Sequence, residues 1–99
     1  MRIVAVTACP TGIAHTYMAA EQLVKTARHL GHQIKVETQG AMGIENELSR
    51  EDINTAELVI FAADIAVQNR ERFANMKIVE VAVQDAIKNP AALFSRLAE

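Results

Sequence analysis

The chain has 99 residues, enough for one sheet with helices packed on it and little more. Hydrophobic residues make up 51% of it, but there is no Trp and there are only three Phe and one Tyr, so the core has to come from Val, Ile, Leu, Ala and Met. Ten basic residues against twelve acidic ones give a net charge of −2, which argues against a nucleic-acid binder, and no apolar run approaches the ~18 residues of a membrane span.

Arg2 to Thr7 is a β-branched, nearly all-apolar run, which predicts a strand buried on both faces of a parallel sheet. It is too short for the core of a signal peptide, and Met1 directly before it reads as a natural start. Pro10 and Gly12 end the strand. From about Ala14 to Leu30, Ala14, Met18, Ala19, Leu23, Ala27 and Leu30 recur at helical spacing, and Gly31 stops the helix. A second strand is predicted from about Gln33 to Glu37; its alternation of Ile34 and Val36 with polar neighbours points to a half-exposed edge. Thr38 to Gly43 reads as a loop with two permissive glycines, and Ile44 to Ala56 as polar and helix-permissive. Within the latter, Ser49 and Asp52 form a loose version of a helix-capping pair.

Leu58 to Ala62 is a third buried strand, Val67 to Ala74 a predicted helix, and Lys77 to Ala82 a fourth strand. A helical turn around Gln84 to Lys88 follows. Asn89 and Pro90 then supply a cap and a first-turn proline for a last helix, Ala91 to Ala98, with Leu93, Phe94 and Leu97 as its apolar stripe. No repeat, low-complexity segment or linker interrupts the chain, so residues 1–99 read as a single domain. The pattern predicts a three-layer, doubly wound α/β fold: a four-stranded parallel sheet of order 2-1-3-4 with helices on both faces. In that order the switch point lies at the carboxyl end of the first strand, where such sheets bind ligands.

Cys9, the only cysteine, falls at that point. A lone thiol fits a reducing cytoplasm better than a disulfide scaffold. The N-terminus of the following helix offers unpaired N–H groups and a partial positive charge, which can hold a phosphate without Lys or Arg. The same field favours the thiolate, the nucleophilic form. The small residues Thr11, Gly12 and Ala14 let the backbone wrap a phosphoryl group, and Thr11, Thr16 and His15 can add donors. The plain alternative is that Cys9 is an inert packing residue. Neither G-x-x-x-x-G-K-[ST] nor G-x-G-x-x-G is present. No metal is expected, because His15, His29 and His32 have no evident partnership with one Cys, and the last two flank a helix end where His often sits.

At this loop the sequence resembles a known family. Cys9, Pro10, Thr11, Gly12, Ile13, Ala14, His15 and Thr16, followed by Tyr17-Met18-Ala19-Ala20, are similar to the active-site signature of the fructose-type enzyme IIB component of the bacterial phosphoenolpyruvate-dependent sugar phosphotransferase system. The likeness extends through Val36-Glu37-Thr38-Gln39-Gly40 and Ala62 to Val67, and covers essentially the whole chain. It implies that Cys9 takes a phosphoryl group from a phosphohistidine of a IIA component, and that Pro10 to Thr16 form the phosphate cradle. The group then passes to a sugar held by a membrane-embedded IIC component. No cofactor, nucleic acid or direct membrane insertion is implied, only transient association with the membrane's inner face through IIC.

Cys9 with five residues before His15 and Thr16 also echoes the C-x5-R-[ST] loop of low-molecular-weight tyrosine phosphatases, with Asp64 as a conceivable general acid, but the phosphate-clamping Arg is missing. Three further readings stay open here. Gln39 to Gly43 line the site or serve only as a turn. Arg70, Glu71 and Arg72 read as the solvated face of a helix. Ile13 and Met42 are candidates for exposed docking residues beside the thiol.

Overall fold

Arg2–Ala8 forms the central strand, β1, and every residue from Ile3 to Ala8 is buried. A run of small and β-branched side chains allows this, since both faces of the strand then meet apolar layers. The computed structural model describes residues 1–10 and 13–97. After β1 come α1 (Ile13–His29), β2 (Gln33–Gly40), β3 (Gly43–Glu45), α2 (Arg50–Thr55) and β4 (Leu58–Ala63). A 3-10 turn (Arg70–Phe73), β5 (Ile78–Val81), α3 (Val83–Lys88) and α4 (Pro90–Leu97) complete the order. Ala98, the expected end of the last helix, lies outside the described residues.

The sheet has five strands in the order β3-β2-β1-β4-β5. β1 runs parallel to β2 and β4, and β4 parallel to β5, whereas β3 pairs antiparallel with β2. The expected four-stranded, wholly parallel sheet is therefore corrected to a mixed five-stranded one. The missing strand was hidden because β2 continues through Thr38, Gln39 and Gly40, polar or small residues that read as a loop, and folds back at once into Gly43–Glu45. Gly43, at φ 87°, supplies the left-handed backbone of that reversal.

The faces of the sheet carry different layers. On one, α1, α3 and α4 bury Ala19, Leu23, Ala27, Ala86 and Phe94 against Ile3, Ala5, Val36 and Ile60. On the other, Ile53 of α2, Leu48 and Phe73 of the 3-10 turn cover Val4, Val6 and Phe61. Phe61 and Phe73 meet edge to face, their centroids 5.3 Å apart. The buried stripe of α1 is Thr16, Ala19, Leu23 and Ala27, while Met18 and Leu30, expected on that stripe, are exposed. The helix expected over Val67 to Ala74 shrinks to the 3-10 turn, because Asn69 takes a left-handed conformation (φ 58°) directly before it. None of the described helices is long and apolar enough to cross a membrane.

The capping pair before α2 is complete despite the short acid. Ser49 Oγ accepts the Asp52 N–H at 3.0 Å, and Asp52 Oδ2 accepts the Ser49 N–H at 2.9 Å. Asp52 also receives Lys35 Nζ at 2.7 Å, and these donors, Lys35 first, hold its carboxyl down at about 2. Ser49→Ala should lower the free energy of unfolding by about 1 kcal/mol, read from denaturant midpoints with an unchanged m-value.

Candidate functional site

β1 ends and α1 begins around Cys9, a residue that is 2% exposed. The Cys9 N–H donates to the Gln39 carbonyl at 3.3 Å, extending the β1–β2 ladder one residue past the strand. On the other side of β1, the Asp64 N–H donates to the Ala8 carbonyl at 2.9 Å. The sheet thus fixes the backbone on both sides of the thiol before the chain turns into the helix.

Beneath the first turn of α1, Thr7 Oγ1 donates to the Thr16 carbonyl at 3.1 Å, and Thr16 is itself buried. β2 passes close by. A methyl group in place of the Gly40 hydrogen would sit 3.3 Å from Thr16 Oγ1, so glycine here lets strand and helix approach.

Cys9 opens onto a hollow of about 120 Å³, lined by Pro10 from its own turn and by Gln39, Gly40, Ala41, Ile65 and Gln68 from two other loops. It is room for a phosphoryl group, but small beside the ~300–1,000 Å³ of sites that enclose drug-sized molecules. Larger hollows are not lined by Cys9. One of about 740 Å³ runs along α1 and β2 past Val24 and Ile34, and one of about 330 Å³ lies beside Asp64 and Arg70.

The expected cradle residues are thus distributed unevenly. Cys9 and Pro10 line the hollow. Ala14 and His15 are exposed on the first turn of α1, and Thr16 is turned inward under it. Thr11 and Gly12 lie outside the described residues, as does the side chain of Ile13, which opens α1. Of the two docking candidates, Met42 is 68% exposed. Ile65, 41% exposed at the rim of the hollow, was not anticipated.

Behind the hollow stands a polar network that sequence reasoning missed. Glu37 is fully buried and is gripped by Arg72 through two bonds, Nη1 to Oε1 at 2.9 Å and Nη2 to Oε2 at 3.0 Å. Its Oε1 also accepts the Leu48 N–H at 2.9 Å, and its Oε2 accepts Gln39 Nε2 at 2.7 Å. Burial pushes the Glu37 carboxyl up, but the bonds from Arg72, Leu48 and Gln39 together outweigh it and hold the group below its ordinary range. Arg72 is therefore not part of a solvated face, which corrects that expectation. The available signal was the sequence Glu37-Thr38-Gln39, polar residues that directly continue an alternating strand instead of leaving it.

Asp64 is a strand-end residue whose carboxylate accepts the Val83 N–H at 3.1 Å. With that bond made, and with exposed His15 where a phosphatase loop carries its Arg, the hydrolytic alternative is not favoured. Among the described residues no group of three or more His, Cys, Asp or Glu could hold a metal ion.

The fold and the site thus define a small α/β domain with a buried thiol at the switch point of its sheet, facing a small hollow. The chain belongs to the IIB family of the sugar phosphotransferase system: residues 4–96 match the family model described as "PTS system, Lactose/Cellobiose specific IIB subunit". Members of this family act as phosphotransferases in sugar transport. Among curated relatives, "PTS system fructose-like EIIB component 2" of Escherichia coli is 51% identical over 96 residues, which are 97% of this chain and 91% of that one. The "Fructose-like PTS system EIIBC component" of the same species is 54% identical over 98% of this chain but only 20% of its own length. The solution structure of an enzyme IIB subunit from Escherichia coli superposes with a TM-score of 0.93 at 41% identity, over 99% of this chain and 91% of that one.

Proposed function

We propose that this chain is the phosphoryl carrier of a fructose-like sugar uptake system, with Cys9 as the residue that is phosphorylated. The observation that carries the reading is the place of Cys9, at the carboxyl edge of the central strand, where it lines a hollow with Gln39, Gly40, Ala41, Ile65 and Gln68 from two other loops. The fructose-like names of the relatives support the sugar class. The relative named as an EIIBC component supports a membrane IIC acceptor.

The donor is a phosphohistidine of a IIA component. The Cys9 thiolate attacks phosphorus, the S–P bond forms as the N–P bond breaks, and the electron pair returns to the imidazole. In the second step a sugar hydroxyl attacks phosphorus, the S–P bond breaks, and the thiolate leaves with its electron pair while the hydroxyl proton passes to a base of the acceptor. N–H groups at the start of α1, between Pro10 and Thr16, stabilise the negative charge spread over the transferred oxygens. The thiol acts at the cytoplasmic side of the membrane, where the chain, read as a single domain over residues 1–99, meets IIC.

The test is incubation with the phosphorylated donor protein followed by mass spectrometry. One phosphoryl group on Cys9, lost when a sugar-loaded IIC acceptor is added, is the expected result. A protein that stays unmodified, or is modified at another residue, overturns the reading.

A further inference from the structure

The hollow at Cys9 has two walls of different origin. One belongs to the turn that carries the thiol; the other is made of Gln39, Ala41, Ile65 and Gln68, contributed by the end of β2 and the segment after β4. Catalysis by positioning requires that second wall to hold its place while a partner docks, because shifts of about 1 Å at a reacting group can cost about a hundredfold in rate. Gln68 is exposed, and Asn69, next to it, is in the left-handed region, so apolar burial of Gln68 itself does not fix this part of the wall.

Gln39 holds it in a way that resembles one rung of a β-ladder. Its Oε1 accepts the Gln68 N–H at 2.8 Å, and its Nε2 donates to the Gln68 carbonyl at 3.2 Å. The same Nε2 donates to the Glu37 carboxylate at 2.7 Å, and the Gln39 backbone carbonyl accepts the Cys9 N–H at 3.3 Å. One residue therefore ties the thiol's own backbone to the opposite wall. Its amide is kept in this orientation by Glu37, whose oxygens are filled by Arg72, Leu48 and Gln39. Arg72 closes the loop by donating from Nε to the Asn69 carbonyl at 2.8 Å and from Nη2 to the Gln68 carbonyl at 3.3 Å.

We infer that Gln39, oriented by the buried Glu37–Arg72 pair, is a positioning residue for Cys9: it holds the Ile65–Gln68 wall of the phosphoryl pocket in register with the thiol. This inference rests on the phosphoryl-carrier reading for its functional consequence. Its geometric part is testable without any phosphoryl group. Val67 of the same segment is buried in the core on the α2 face of the sheet, so cutting the tie shifts the wall and does not unfold it.

The discriminating variant is Gln39→Met, which keeps the side chain's length and leaves the Arg72 fork on Glu37 intact. Two rates are measured on folded protein: alkylation of Cys9 by iodoacetamide, and single-turnover transfer from the phosphorylated donor across donor concentrations. Alkylation should rise about tenfold and transfer at saturating donor should fall about tenfold, with the half-saturating concentration changed by less than about twofold. Arg72→Lys keeps the charge but loses the fork, and should move both rates in the same directions by a smaller factor. Ser49→Ala, which weakens the cap of α2 and removes no group that lines the hollow, should move neither.

A purely structural role lowers transfer only in step with the unfolded fraction and leaves alkylation of the folded protein unchanged; that pattern in Gln39→Met overturns the inference. If Gln39→Met does not fold, Arg72→Lys with wild-type values of both rates overturns it instead. If the wild type accepts no phosphoryl group, the carrier reading fails, while the alkylation rates still decide whether Gln39 fixes the wall.

Discussion

Cys9→Ser should lower formation of sugar phosphate by at least about a thousandfold while leaving the fold in place. Serine is smaller than cysteine and fits where Cys9 is 2% exposed, so the thermal midpoint should move little. The chemistry changes at both half-reactions. A neutral hydroxyl is a poor nucleophile without an adjacent base, and a phosphoserine, once formed, must expel an alkoxide, a far worse leaving group than a thiolate. The assay couples phosphorylated donor, this protein and sugar-loaded acceptor, and reads sugar phosphate. Substantial turnover by the serine variant would remove Cys9 from the reaction path and, with it, the proposed mechanism.

Arg72→Ala should cost about 3 kcal/mol of stability at neutral pH, the largest loss expected from any single change outside the apolar core. The reason is the partner it leaves behind. Glu37 is fully buried, and without the guanidinium fork its charge keeps only the Leu48 N–H and the Gln39 amide. The pH dependence separates this from ordinary packing loss. In the wild type the Glu37 carboxyl sits below its ordinary value of 4.5, so the folded state binds fewer protons than the unfolded one. That contribution is present in full above the ordinary value and is lost as pH falls through the lowered folded one. In the variant, burial raises the same group, so protonation favours its folded state. The stability gap between the two proteins should therefore be widest near neutrality, begin to narrow as pH falls through the variant's raised value, above 4.5, and go on narrowing until pH passes the wild type's lowered one. Urea unfolding across that range checks it; a gap that does not change with pH would place the loss in packing rather than in the stranded carboxylate.

Much of this fold was legible because its strands obey simple rules. Arg2 to Thr7 and Leu58 to Ala62 are apolar runs too short for helices, and both form buried parallel strands at the centre of the sheet. The position of Cys9 followed from these: a thiol one residue past a central strand must lie at the carboxyl edge of the sheet. What stayed hidden was polar. Glu37 and Gln39 are buried, against the expectation for their residue types, because Arg72, 35 residues beyond Glu37, returns to satisfy the carboxylate to which Gln39 also donates. No local pattern announces a partner at that separation. The same long-range bond accounts for both departures from the local pattern: β2 runs on past Glu37, and Arg72 turns inward. The Ser49–Asp52 cap, by contrast, is local, and it formed even with the shorter acid.

The short β3 has a consequence for how the protein behaves in a crowded solution. It pairs only with Thr38, Gln39 and Gly40, so among the described residues no strand covers the outer side of β2 from Gln33 to Glu37. An uncovered parallel edge with Ile34 and Val36 in it is a template on which another chain could add a strand and begin an aggregate. Lys35 stands in the middle of that stretch with its side chain 46% exposed, anchored at its tip by Asp52. An incoming strand would have to bury that ammonium or break its bond to Asp52. The carboxylate that caps α2 thus also holds in place the charge that keeps the sheet from growing sideways into a neighbouring molecule.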